Sequence, residues 1–409
     1  MRRYREILTV PGAWKFSSAG LLARSGSAMT GLGIVLMVSS LYGSYGLAGA
    51  VVAANATGWA VGTAALANLV DRFGQRRVMY PSTIISATAL AVTVVLAANQ
   101  LPPWMLFPPV IVAGLAGGSP GALVRARWNH VLDDSARLHT AFSLESSLDE
   151  VTFVIGPVLA TALATGVHPV AGVAASVVLS LVGAQFFYSQ RATEPPPHPQ
   201  PSRVGSARRP ALLIAGVAPV AVIGLLLGSI FGAIDVSVVA ATTSWDVRAA
   251  AGVVLAVFSL ASGVAGIAYG TRTWKSSTLR RLVIGMLALF VTTVLLLAAF
   301  NAISLGLLGL LLGATIAPTL INANTLIGQL VPTSRLTEGL AWVGTGIGIG
   351  VSIGSSLAGG FIDHAGYGAG LATVTGFGLV AAILTITTAP LIRNAIAAIS
   401  DPADPDVVG

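Results

Sequence analysis

The sequence predicts an all-α membrane protein of twelve transmembrane helices in two pseudo-symmetric six-helix bundles, and four observations carry that prediction. Charged residues make up only 9% of the 409 positions, against roughly 25% in an ordinary soluble domain. Apolar residues make up 55%, with a mean hydropathy of +0.84. Apolar runs of about 20 residues, the length that crosses a hydrocarbon core, recur along the whole chain. The basic residues, finally, alternate in a way that only an even number of crossings allows. The 47 glycines suit helices that pack closely within lipid.

In order, the expected spans are residues 17–42, 47–70, 78–98, 103–124, 140–166, 169–190, 211–241, 249–271, 280–300, 303–330, 337–362 and 367–392. The basic start, Arg2, Arg3 and Arg5, looks like a signal-peptide n-region. No small-residue cleavage site closes a short apolar core behind it, so the first span is read as retained. Cytoplasmic loops of membrane proteins collect Lys and Arg. Numbered by these spans, every basic residue falls on one side except Arg248, on the other, and Arg24, inside the first span. Both termini are therefore expected in the cytoplasm. A missed or invented helix would have scattered the later clusters to alternate sides.

The longest polar stretch, Arg191 to Arg209, contains Glu194-Pro195-Pro196-Pro197-His198-Pro199-Gln200-Pro201, which is expected to be extended and solvated. It divides the chain into an N-terminal bundle (1–190), a linker (191–210), a C-terminal bundle (211–393) and a cytoplasmic tail (394–409), the tail's Asp401, Asp404 and Asp406 serving solubility. A repeat supports the division. Arg137-Leu138 opens the fifth span and Arg335-Leu336 the eleventh, 198 residues later. Asp71 to Arg77 separates the second and third spans, and Gly270 to Lys275 holds the same place in the second half. Parallel six-helix repeats with a solute site between them are a recurring transporter architecture.

With these landmarks in place, the sequence resembles the major facilitator superfamily over nearly its whole length. The superfamily's loop signature, roughly G-x-L-x-D-R-x-G-R-R, is matched by Ala67-Asn68-Leu69-Val70-Asp71-Arg72-Phe73-Gly74-Gln75-Arg76-Arg77, with Ala67 and Gln75 as departures. Gly156-Pro157 in the fifth span looks like the core of the Gly-Pro motif of exporters, without its flanking glycines. The arginine that many drug/proton antiporters place in the fourth span is absent from Pro108 to Val124. The resemblance implies alternating access, with the first and fifth spans lining the central cavity. It also implies a cytoplasmic latch in which Asp71, with Arg72 and Arg76, meets the start of the eleventh span, where Glu338 is favoured by the helix dipole. The other reading of the basic pair Arg76 and Arg77 is that it only enforces topology.

Ionisable groups inside a bilayer cost about 2.5–3.5 kcal/mol each on insertion scales and are functional candidates by default. Glu145 and Asp149 are spaced i,i+4 on one face of the fifth span. At about 1.5 Å rise per residue, Asp149 lies roughly 13 Å into its span and Arg24 about 10 Å into the first. Arg24 is therefore expected to pair with Asp149 or Glu145, leaving one carboxylate under-compensated and able to exchange a proton. The competing reading has Arg24 snorkelling to the headgroups and Glu145 bracing the preceding loop. Glu150, about 100° round the helix, reads as a structural hydrogen-bond partner rather than a second relay. Asp235 is expected near the outer face, as an outer gate or paired with Arg248. Asn55, Trp59, Asn322, Asn324 and Trp342 are the uncharged candidates for a substrate cavity, and the two tryptophans equally suit helix interfaces.

With zero cysteines, thiolate metal sites and cysteine nucleophiles drop out. No His pair at metal-ligand spacing, no P-loop and no nucleophile motif are present, so neither a metal nor a cofactor is expected. The net charge of +7 lies in short clusters between apolar runs, which argues against nucleic acid as a partner. The expected function is secondary active transport, most directly proton-coupled efflux of a small amphipathic or apolar solute. Proton-coupled uptake of a sugar or other metabolite is the alternative, and a membrane-embedded enzyme the distant one. The partners are then the solute, protons and the lipid bilayer. The chain is expected to be a monomer in a bacterial inner membrane, the source read from Ala/Val/Gly-rich composition.

Overall fold

The structure, a computed structural model of the chain, describes residues 2–132, 134–197, 211–270, 272, 274–332 and 335–400. Residues 198–210 of the expected linker and 401–409 of the expected tail lie outside these. Among the described residues the regular structure is helical, with no strand, and twelve helices are long and apolar enough to cross a membrane. The first six are Ala13–Tyr42, Tyr45–Phe73, Gln75–Ala98, the composite Pro103–Val131, Ser135–Gly166 and Ala171–Ser189. The second six are Val217–Ser244, Ala250–Gly270, Thr278–Leu296, Ala302–Leu330, Leu336–Ala365 and Tyr367–Ser400.

Four of these differ from the hydropathy reading. The fourth span stops at Gly117 and restarts at Pro120, then runs to Val131 as one more helical segment. Proline suits the first turn of that segment because its missing N–H needs no partner there. Arg125 and Arg127, read as loop residues, are therefore helical, which corrects the expectation that the fourth helix carries no arginine. The seventh span begins six residues later than expected: Ala211–Leu213 form a 3-10 turn, and Gly216, at φ +86°, precedes the helix start at Val217. The fifth begins earlier, at Ser135, and the twelfth continues through Arg393 to Ser400. A further short helix, Arg2–Leu8, precedes the first span.

The chain forms two compact units, Met1–Arg203 with Asp246–Ala256, and Val204–Trp245 with Val257–Gly409. In the first unit the first span lies along the second, fifth and sixth, and the third lies along the fourth and sixth. Its core gathers Ile7, Phe16, Leu123, Trp128, Phe187 and Tyr188, with Phe16 edge-on to Trp128 at 4.8 Å. The second and third spans are separated by Gly74 alone, at φ +89°. This left-handed region strains any residue with a Cβ, which is the physical reason for glycine in the Asp71–Arg77 loop.

In the second unit the seventh span packs along the eleventh. Gly224, Gly228 and Gly232 of the seventh face Val343, Ile347 and Val351, while Gly346, Gly350 and Gly354 of the eleventh face Ala221, Leu225 and Ser229. Backbone meets backbone along the whole contact. Small residues permit this approach, and close packing is what holds helices together where lipid removes the hydrophobic difference.

Candidate functional site

The ionisable residues of the first, fourth and fifth spans converge within the first unit. Arg24 donates from Nη2 to Glu145 Oε2 at 2.5 Å and from Nη1 to Asp149 Oδ1 at 2.7 Å. Its Nε donates to the Gly20 carbonyl one turn back, at 3.2 Å. The i,i+4 spacing thus presents two carboxylates to one guanidinium, as the sequence implied. Glu145 is fully buried, and its Oε1 accepts from Ser17 Oγ at 2.6 Å and Trp128 Nε1 at 2.8 Å. Three partners on two oxygens satisfy a carboxylate that would otherwise be costly to bury. Asp149 is the outer member: its side chain is 24% exposed, and its Oδ2 accepts from Arg125 Nη2 at 2.7 Å.

Arg125 changes the charge count. Two arginines face two acids, so the expected under-compensated carboxylate is not found, and Arg24 is buried in the pair rather than snorkelling. Sequence reading missed Arg125 because a charge beyond an apolar run looks like a loop. The signal available was Pro120, which can restart a helix five residues before Arg125. The side chain of Glu150 lies outside the described residues.

Arg127, fully buried, organises a second polar cluster. Its Nε donates to Gln75 Oε1 at 3.0 Å, and its Nη1 donates to the Gln190 carbonyl at 2.9 Å and Thr193 Oγ1 at 3.0 Å. Its guanidinium lies 3.9 Å over the Phe187 ring. Next to it, Glu194 Oε1 accepts the backbone N–H of Arg76 at 2.8 Å, satisfying a free donor at the start of the third span. The beginning of the proline-rich stretch is therefore tied to the bundle through Thr193 and Glu194 rather than solvated throughout.

The gating candidates divide. Asp71 is exposed and has no hydrogen bond or ion pair among the described residues. Arg72 and Arg77 lie over the Phe73 ring at 5.4 and 6.0 Å. Glu338 stands in the first turn of its helix, as expected, and there accepts the Ala211 N–H at 2.7 Å and pairs with Arg335 at 3.0 Å. Asp235 is partly buried and has no polar partner among the described residues. Arg248, its partner in one reading, instead donates to the Leu36 carbonyl at 3.1 Å and Ser39 Oγ at 2.6 Å. Both acceptors lie within the last two turns of the first span, where a cation is favoured by the helix dipole. Burial lowers the Arg248 pKa, and the charge interaction with Tyr45 offsets part of that.

Three of the five uncharged candidates, Asn55, Trp59 and Asn322, are engaged with backbone. Asn55 Nδ2 donates to the Val110 carbonyl at 3.1 Å, and Trp59 Nε1 to the Gly118 carbonyl at 2.7 Å, the latter at the interruption of the fourth span. Asn322 is buried, donating to the Pro318 carbonyl at 2.9 Å and accepting from Tyr269 Oη at 2.9 Å. Tyr269 stacks on Trp274 at 4.6 Å and receives Arg281 Nη1 at 3.2 Å, a cluster without a signal in the sequence reading. Asn324 is exposed and Trp342 partly buried. Among the described residues no group of acids and histidines could hold a metal.

Twelve long apolar helices, with a charge-paired polar centre buried among three of them, define a multi-pass membrane protein of the carrier type. Residues 16–245 match the Major Facilitator Superfamily, and the chain belongs to that superfamily of membrane transporters. Among solved structures it is similar to the nucleoside transporter NupG (TM-score 0.68, 13% identity, covering 94% of this chain and 98% of that one). It is likewise similar to a D-xylose–proton symporter (TM-score 0.68, 16% identity, 92% and 98%). A bacterial homologue of the iron transporter ferroportin gives a TM-score of 0.70 at 14% identity, over 93% and 99%. At these identities the likeness is one of fold. No curated protein matches the chain in sequence.

Proposed function

We propose that this transporter is a proton-coupled exporter of small amphipathic or apolar solutes, working by alternating access as a monomer in a bacterial inner membrane with both termini cytoplasmic. The observation that carries the coupling is the pair of salt bridges on Asp149. Glu145 is sealed by Ser17, Trp128 and Arg24, whereas Asp149 keeps access to solvent while holding Arg24 and Arg125. A proton delivered to Asp149 would neutralise the carboxylate that links the first and fourth spans to the fifth. Proton exchange would in that way change which helices are tied together. Efflux is favoured by the apolar residues that dominate the spans and by the partial Gly-Pro motif, whose Gly156 packs against Ala28 of the first span.

Asp149→Asn is expected to abolish transport driven by a pH gradient while leaving downhill solute exchange measurable. Flux in proteoliposomes, with and without the gradient, reads both. Undiminished gradient-driven transport in that variant would remove Asp149 from the coupling. Uptake against a solute gradient, in place of extrusion, would establish the sugar or metabolite alternative.

The gating role of Asp71, Arg72, Arg76 and Glu338 belongs to the same proposal. Asp71→Ala is expected to slow turnover by about tenfold or more without lowering thermal stability, because the carboxylate has no partner to lose in the first unit. Normal turnover and normal state populations by distance measurements would refute that role.

A further inference from the structure

The cytoplasmic ends of the third and sixth spans form a cleft that, apart from Arg76, the transport proposal does not use. Tyr80 Oη donates to Gln185 Oε1 at 2.6 Å, and the Tyr80 ring stands edge-on to Tyr188 at 6.1 Å, so the two helices are pinned there. Beside this pin lies a shallow, open depression of about 490 Å³ lined by Arg76, Arg77, Tyr80, Pro81, Arg191 and Glu194. Three guanidinium groups face one carboxylate, and none of the three has an ion pair among the described residues. Glu194 already spends one oxygen on the Arg76 N–H.

The cleft continues in a different chemistry. Ile84 lies one turn beyond Tyr80 and Val182 one turn before Gln185, both towards the hydrocarbon, and they are 42% and 39% exposed. From Arg76 to Tyr80 the helix rises about 6 Å, which matches the roughly 5–7 Å polar zone on each side of a bilayer core. A cationic hollow, a hydroxyl and an apolar track thus follow one another at the depths of a headgroup, a glycerol ester and an acyl chain. Topology alone asks for basic residues in this loop; it does not ask for an arginine from the far end of the sixth span to join them around one depression.

We propose that this cleft is a binding site for an anionic phospholipid, its phosphodiester held by Arg76, Arg77 and Arg191 and its acyl chain lying along Ile84 and Val182. Arginine suits the role because its planar fork matches phosphate oxygens. Juxtamembrane basic residues attract anionic headgroups additively. Glu194 tempers the site, so neutralising it should tighten binding.

The test is native mass spectrometry of the full chain in detergent, titrated with phosphatidylglycerol, phosphatidylcholine or inorganic phosphate. Wild-type protein is expected to retain one phosphatidylglycerol more tightly than the rest and to show no such event with phosphatidylcholine. The double variant Arg77→Gln/Arg191→Gln should weaken that event about tenfold or more, and Glu194→Gln, which keeps an acceptor for the Arg76 N–H, should strengthen it. Unchanged phosphatidylglycerol retention in the double variant, or equal retention of phosphatidylcholine, overturns the site. Displacement of the lipid by inorganic phosphate at similar concentration overturns the lipid assignment in favour of a free-anion site. Should the double variant not fold, unchanged or weaker retention by Glu194→Gln overturns the proposal by itself.

Discussion

Glu145→Ala is expected to destabilise the protein by about 3–5 kcal/mol, the cost of breaking a buried ion pair from one side. The loss reaches beyond Arg24. Trp128 Nε1 and Ser17 Oγ both give up their acceptor in a fully buried position. An unmet buried donor costs about 1–3 kcal/mol. Asp149→Ala should cost less than half as much, because Asp149 and Arg125 are 24% and 32% exposed and water can replace the missing partner. Glu145→Gln should fall between, since its amide oxygen still accepts from Trp128 or Ser17. Unfolding of the purified protein in detergent, followed by tryptophan fluorescence and thermal scan, reads the order. A Glu145→Ala loss below about 1 kcal/mol would show that water reaches the cluster and that the carboxylate is not the keystone of these spans.

Gly350→Val is expected to disrupt the second unit outright. A Cβ at Gly350 meets the Leu225 carbonyl oxygen and lies 2.8 Å from the Ser229 nitrogen. These are backbone atoms of a neighbouring helix, so no side-chain rotation relieves the overlap, and the seventh and eleventh spans must move apart. Overpacking of this kind costs typically 1–3 kcal/mol, and more where the backbone cannot shift. The contact extends over six glycines, so a separation at one position loosens the others. Gly344, on the same helix, has open space where its Cβ would stand. Gly344→Ala should therefore be neutral or gain up to about 1 kcal/mol from helix propensity. Equal expression and melting of the two variants would refute the close packing.

Which parts of this architecture were legible in the sequence follows from range. Span number came from apolar runs, tested by the charge placed loop by loop between them, and twelve helices long and apolar enough to cross a membrane are found, four of them with shifted ends. The pairing of Arg24 with Glu145 and Asp149 was legible because helical rise converts position into depth. Arg125 was not, since hydropathy cannot distinguish a helix that continues past its apolar run from a loop. The same ambiguity hid the extension of the twelfth span to Ser400. At the seventh span the error ran the other way: Leu212, Leu213 and Ile214 are as apolar as a span, yet the helix proper starts only after Gly216. Glu194 binding Arg76 across 118 residues has no local signature at all. Its neighbouring prolines indicate only that the backbone there cannot be helical.

The segment Asp246–Ala256 folds with the first unit, although its flanking residues belong to the second. The backbone therefore passes between the two bodies three times, of which the proline-rich stretch is one. A protease nick there would leave residues 246–256 on the downstream fragment, although they fold with the first unit. The upstream piece, expressed alone, would lack the Arg248 that binds Leu36 and Ser39 of its own first span. Attempts to reconstitute this protein from halves cut there should accordingly require both pieces during synthesis, because one half carries a segment that the other must bind.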